Sequence, residues 1–483
     1  MKGTLTLRAR EVPLDDEQSV DVVIGVYDAL LAGRNYKIEH KVAEVGKVSQ
    51  STEFLLRLIH SVDGMPEAEV AKFFDFSPQE MTYLLNDAVS LGYVSRDSGR
   101  LWTTRAGRDL FVAGGEEPQI FNVEKRTWTF GFDLISFAPQ DSVRTTAFDH
   151  YLHSLEVDQT LVSKGREQIP ASFKRHFTEL NTKQGARALL KRSLYSIDSV
   201  TPGDKFSALV PVFVKAPQAS LNQGEPDLLE WRPEHELDDR SEVVTAIGKF
   251  VEDLRFHVPE SAVEDYKLLI ELAPEFLRNY TLKNGFSVER YQRDALAVKD
   301  HKFQKRRKTI AIVGPFFTPT NSGVLDLAVT RAVNYTPATC LPKKFYWRAP
   351  RRPYWGSTRV LPTIVQRVQD QIAEKLGSEE QKPSAVLLLE RNVQGPHKAF
   401  TEKQHYVNGG PPQSVEIFLV PGVAAGVLIH LPGSSTFGHA VPLGFMSIDP
   451  LVVSRTEDYL RQYGEIEVPL DRVSEEDIDL PEE

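Results

Sequence analysis

Two sets of side chains in this chain have the types and spacing to do chemistry. The first is the histidines His397, His405, His430 and His439, with Glu390, Glu402 and Asp449 near them in sequence. Imidazoles and carboxylates that converge in one cleft can move protons or hold a metal ion. Their spacing fits no ligand motif. They therefore stand as candidates for the site of a nuclease or phosphodiesterase, and no metal or cofactor is assigned to them. The second set is the run from Lys343 to Trp355, where Lys343, Lys344, Arg348, Arg351 and Arg352 are interleaved with rings that include Trp347, Tyr354 and Trp355 and no acid intervenes. Cations beside rings neutralise phosphates and stack on bases, which is how single strands are held. Pro350 and Pro353 keep this run out of a regular helix, so it reads as an extended loop or a sheet edge. The alternative is that its rings pack inward while its arginines meet acidic segments of the same chain. Just upstream, His301 to Lys308 adds the cations Lys305, Arg306, Arg307 and Lys308 before the apolar run Thr309 to Val313.

Smaller constellations carry less. Asp149-His150-x-x-His153 on a helix would set two imidazoles on one face, half of a metal site with no later ligand tied to it. Asp28 with Glu39-x-Lys41 resembles the carboxylate and lysine spacing of restriction-type nucleases, but Val20, Val23, Ile24, Tyr27 and Leu31 place Asp28 in a predicted helix. Thr309 to Val333 reads as strand, glycine-containing loop and helix, the layout of many phosphate sites. No Lys-Ser/Thr follows its glycine, and Gly314-Pro315 removes a donor such a loop would use.

The elements that must position these groups are clearest between Thr52 and Phe111. Phe54, Leu55, Leu58 and Ile59 recur at helical spacing before the turn Asp63-Gly64, and Pro66 opens a short second helix. Ser77-Pro78 then supplies a cap and a first-turn proline for a third helix with Met81, Leu84, Leu85, Val89 and Leu91 as its apolar stripe. Tyr93 to Arg96 and Leu101 to Thr104 read as strands joined by Asp97-Ser98-Gly99. This order of elements resembles the winged helix-turn-helix family over residues 52–111. The resemblance implies DNA contact through the third helix, where Gln79 and Asn86 could read adenine edges and Arg96 and Arg100 could meet phosphates from the wing. Glu80 and Asp87 on the same helix oppose that, so a winged helix used for protein docking is the competing expectation.

The 483 residues exceed what one core organises, and 41% hydrophobic with 26% charged residues describes a globular protein. No run approaches the length of a membrane span, and no secretion signal opens the chain, so a cytoplasmic protein without membrane contact is expected. The one cysteine, Cys340, excludes an intramolecular disulfide. The net charge of −10 conceals segregation: acid gathers in 225–253 and 465–483, base between His301 and Arg359. The expected fold is a multidomain α/β (α+β) chain. Its segments are an N-terminal strand and helix (1–50), the winged helix (51–115), a mixed, helix-rich middle region (116–300), a basic βα segment (301–380), a C-terminal α+β domain (381–464) and an acidic tail (465–483). The expected function is a non-enzymatic, DNA-engaging component of a larger prokaryotic assembly, such as an anti-phage defence or DNA-maintenance system, with double- or single-stranded DNA and proteins as partners.

Overall fold

A computed structural model describes residues 21–45, 50–111, 118, 121–158, 160, 165–183, 192–231, 237–283, 285–298, 302–377, 382–391, 393, 395–406, 409–433 and 435–467. Residues 1–20 of the segment expected as an N-terminal strand and helix, His301 and all of the acidic tail beyond 467 lie outside these residues. Helices and sheets both contribute, so the fold is mixed α and β. The chain forms two compact units that interleave in sequence: Met1–Ala32, Val143–Glu156 and Ser207–Glu483 in one, Gly33–Ser142 and Val157–Phe206 in the other.

The first unit is built on a seven-stranded sheet. Its strands are β1 (Thr309–Val313), β2 (Lys344–Arg348), β3 (Ser384–Leu389), β4 (Glu402–His405), β5 (Val415–Val420), β6 (Ala424–Leu431) and β7 (Val441–Ser447). They lie in the order β1-β7-β6-β5-β2-β3-β4. β2, β3 and β4 pair in parallel, and β5, β6 and β7 form an antiparallel meander. Parallel neighbours need crossovers: α2 (Val360–Leu376) joins β2 to its parallel neighbour β3, while α1 (Pro319–Tyr335) leads from β1 at the sheet edge to β2. Both helices pack on one face against Ile310, Ile312, Phe345, Trp347 and Phe418. The other face, with Tyr346, Ile417, Leu419 and Val427, is covered by Lys267–Leu272, Val288–Ala297 and α3 (Pro450–Arg461). Covering both faces explains why β5, β6 and β7 are apolar at nearly every position rather than at alternate ones.

This sheet changes two expectations. Segments 301–380 and 381–464, read as separate, contribute strands to one sheet. Lys344 to Arg348, read as a loop or edge, is a central strand between β5 and β3. The two prolines that argued for a loop fall after its last residue. The loop from β1 to α1 is closed by the chain itself: Thr318 Oγ1 accepts the N–H of Asn321, and buried Asn321 donates to the carbonyls of Val313 and Pro315.

The second unit holds Gly33–Val45, the later part of the strand Asp21–Val45, paired antiparallel with Phe121–Asp133 from Gly33↔Asp133 to Val45↔Phe121. Tyr36, Ile38, His40 and Val42 face inward, while Lys37, Glu39 and Lys41 face outward. The helix expected around Tyr27 and Leu31 is thus part of a strand, because spacings of three and four among β-branched residues overlap with alternation when most positions are apolar. His40 packs edge-on to Trp128 and Phe173, so Trp128 and Phe130 belong to a core. Within the same unit Gln50–Ser61, Glu67–Phe74 and Pro78–Ser90 are helices, followed by strands Val94–Asp97 and Arg100–Thr103. Met65–Pro66 completes a three-stranded sheet with them. Ser77 caps the third helix in a capping box with Glu80. Positive φ at Ser98 (51°) and Gly99 (73°) turns the hairpin.

Candidate anion cleft

In the sheet of the first unit, the C-terminal ends of β2, β3 and β4 point the same way, and the residues leaving them line a cavity of about 340 Å³. Arg348 to Pro353 and Trp355 leave β2, Leu389, Glu390 and Val393 leave β3, and Tyr406 follows β4, with Tyr151 closing a side. Open α/β sheets place ligands at this edge, because loops there diverge and leave a crevice. The volume falls within the range of small-ligand sites.

The cleft is cationic. Arg348 is 1% exposed. Its Nε donates to Tyr406 Oη at 2.9 Å, its Nη2 to the Pro411 carbonyl at 3.0 Å, and its Nη1 to the Val415 carbonyl. Arg352 sends Nε and Nη2 to the His430 carbonyl at 2.9 and 2.6 Å and Nη1 to the Arg351 carbonyl at 3.0 Å, and its guanidinium lies 4.3 Å from the centre of the Phe256 ring. Neither, among the described residues, is paired with a carboxylate. Burial and the charge of Arg348 push the Arg352 pKa down to about 10. Arg351 is the exposed member: its Nη1 meets Glu390 Oε2 at 3.4 Å, a long contact for an ion pair. Among the described residues, Glu390 is the single carboxylate lining the cavity. The backbone at the rim is strained, with Tyr354 at φ 53°.

Most other residues of the aromatic and basic run serve the fold. Trp347 is buried and donates Nε1–H to Glu416 Oε1 at 2.9 Å. Trp355 is buried as well, while Tyr354 packs edge-on to His153 and Phe250. Lys344 pairs with Glu467 at 2.9 Å and Glu402 at 3.4 Å, and Lys343 is exposed. Upstream, Gln304 and Arg307 bridge a tight turn that exposes Lys305 and Arg306, and the Lys308 carbonyl accepts the Ile448 N–H.

The four histidines do not share one environment. His405 Nδ1 lies 3.2 Å from the Glu390 carbonyl and His397 Nδ1 3.1 Å from that of Gly395, both beside cavity-lining residues. His430 is buried with Nε2 at 2.5 Å from Glu416 Oε2, and burial lowers its pKa despite that carboxylate. His439 is buried between the Gly224 N–H and the Val251 carbonyl. Among the described residues, no group of three or more His, Cys, Asp or Glu is placed to hold a metal. His150 and His153 lie in a short turn and a two-residue strand rather than on one helix, and His153 stacks on Phe250 at 4.2 Å. Asp28, in the first unit, accepts from Thr358 Oγ1 and the Arg359 N–H, whereas Glu39 and Lys41, in the second, pair with Lys37 and Asp198.

In the three-helix module, Gln79 and Asn86 are exposed as expected. The wing cations are engaged internally: Arg96 forks onto both Glu67 oxygens, and Arg100 Nη1 donates to the Gly64 carbonyl at 2.9 Å. Phe73 and Tyr83 are exposed at 67% and 79%.

Sequence reasoning missed Tyr151, Glu390 as a partner of Arg351, and Tyr406. Glu390 has one sequence signal, its position just past the apolar run Ser384–Leu389, whereas Tyr151 ends a short turn and Tyr406 follows a polar strand. No protein-family model, curated protein or solved structure matches this chain. No described helix is long and apolar enough to cross a membrane.

Proposed function

We propose that this chain is a non-catalytic, DNA-engaging component of a larger prokaryotic assembly, with the arginine cleft as its nucleic-acid contact. The observation that carries the reading is three arginines against one carboxylate at the C-terminal ends of three parallel strands. Phosphate neutralisation supplies most of the affinity of such contacts, and forked guanidinium groups suit it better than ammonium groups. A nuclease or phosphodiesterase gains less support, since His430 is buried with Nε2 on Glu416 and His439 has both ring nitrogens engaged inside the fold.

A second reading has its own support. Residues 52–111 are proposed to belong to the winged-helix family and to act as a protein-docking module, because Arg96 and Arg100 are engaged while Phe73 and Tyr83 face solvent. An anti-phage defence or DNA-maintenance assembly is the setting proposed for both readings.

The test is binding of the full chain to labelled single- and double-stranded DNA across a salt series. Affinity should fall steeply with salt, and Arg351→Glu should weaken binding and flatten that slope by about one unit. Absence of binding at low salt would overturn the reading.

A further inference from the structure

The cleft, about 340 Å³, is too small for a duplex, and three arginines line it with Glu390 as the one carboxylate among the described lining residues, while Asp265 acts on Arg348 and Arg352 from outside it. Three polar nitrogens of Arg348 and three of Arg352 each hold a carbonyl or hydroxyl oxygen. A guanidinium has five N–H groups, so each keeps two beyond those bonds. Arg351 is different in kind: it is exposed, and its contact with Glu390 is loose enough to exchange for a better acceptor. A dianion is that acceptor, because it offers three oxygens and a second negative charge to a guanidinium that lines the cavity. The rings of Tyr151, Trp355 and Tyr406 line the same space and supply surface for a base or sugar.

From this cavity we infer that the cleft binds a phosphate monoester on a nucleotide, namely the phosphorylated end of a nucleic-acid strand, with Arg351 leaving Glu390 to hold it. The inference rests on the proposed DNA-engaging role and narrows it from backbone contact to end recognition. A phosphodiester inside a strand carries one charge and two neighbours, so it offers the arginines less charge than a monoester does. A free mononucleotide shares the chemistry and is separated by experiment.

The experiment uses the full chain and one short fluorescent single-stranded DNA sequence in three forms: 5′-phosphate, 3′-phosphate and hydroxyl at both ends. Deoxynucleoside monophosphate serves as competitor. Melting curves confirm folding of Arg351→Ala, Arg351→Lys and Glu390→Gln. One phosphorylated form should bind about tenfold or more tighter than the hydroxyl form. Arg351→Ala should abolish that preference, Arg351→Lys should restore part of it, and Glu390→Gln should strengthen it. Equal affinity for all three forms, still weakened by Arg351→Ala, would overturn end recognition and leave the DNA-engaging reading standing. Binding of the monophosphate without binding of any strand would support the phosphate site and overturn both the strand end and the DNA-engaging reading. No binding of strands or monophosphate would overturn both inferences.

Discussion

Arg348 Nε donates to Tyr406 Oη at 2.9 Å, tying the last residue of β2 to the residue after β4 although β3 lies between those strands. Tyr406→Phe keeps the ring and removes the acceptor, leaving a buried charged donor without its partner. The expected cost is about 1–3 kcal/mol of unfolding free energy. Urea unfolding at neutral pH measures it, and an unchanged midpoint would show that Arg348 finds another acceptor.

Arg359 and Asp149 form a second clasp within the first unit. The guanidinium forks onto the carboxylate with Nε to Oδ1 at 2.9 Å and Nη2 to Oδ2 at 2.7 Å, while the Arg359 N–H donates to Asp28. Asp149 is 2% exposed, so Arg359→Ala strands a buried charge and should cost about 2 kcal/mol or more. Arg359→Ala combined with Asp149→Asn should cost less than the sum of the single changes, and a strictly additive cycle would contradict the pairing.

Acid should destabilise the protein before its carboxylates protonate. Burial lowers the pKa of His40, His153, His430 and His439 below the ordinary value of 6.5. The unfolded chain then binds protons that the folded chain refuses, so stability is full above that value and declines as pH falls through it toward the lower folded values. Melting temperature measured stepwise from neutral to mildly acid pH should fall across that window. His430→Asn should lessen the slope, and a flat profile would contradict these shifts.

The wing should matter little to DNA. Because Arg96 is neutralised by Glu67, Arg96→Ala should change DNA affinity and its salt slope by less than Arg351→Glu does. Equal effects of the two would return the contact to the wing.

Helix capping gives an independent check on the same module. Ser77→Ala removes the oxygen that accepts the Glu80 N–H and should cost about 1 kcal/mol. DNA binding by the cleft should be unaffected, so a parallel loss would link the module to the nucleic acid.

Local chemistry was readable in the chain alone. Ser77-Pro78 marks a helix start and Asp97-Ser98-Gly99 a hairpin, since each depends on residues a few positions apart. Charge partners were not readable. Nothing near Arg96 in sequence announces Glu67, and nothing near Arg351 announces Glu390, because each pair meets through space. Lys344 to Arg348 carried the composition of a nucleic-acid loop, yet sheet pairing on both sides made it a buried strand and left Arg351, past its end, as the exposed arginine of the run. Residue types thus set the available chemistry, and the alignment of three strand ends set which of those groups share one cavity, because only packing brings side chains from β2, β3 and β4 to the same edge.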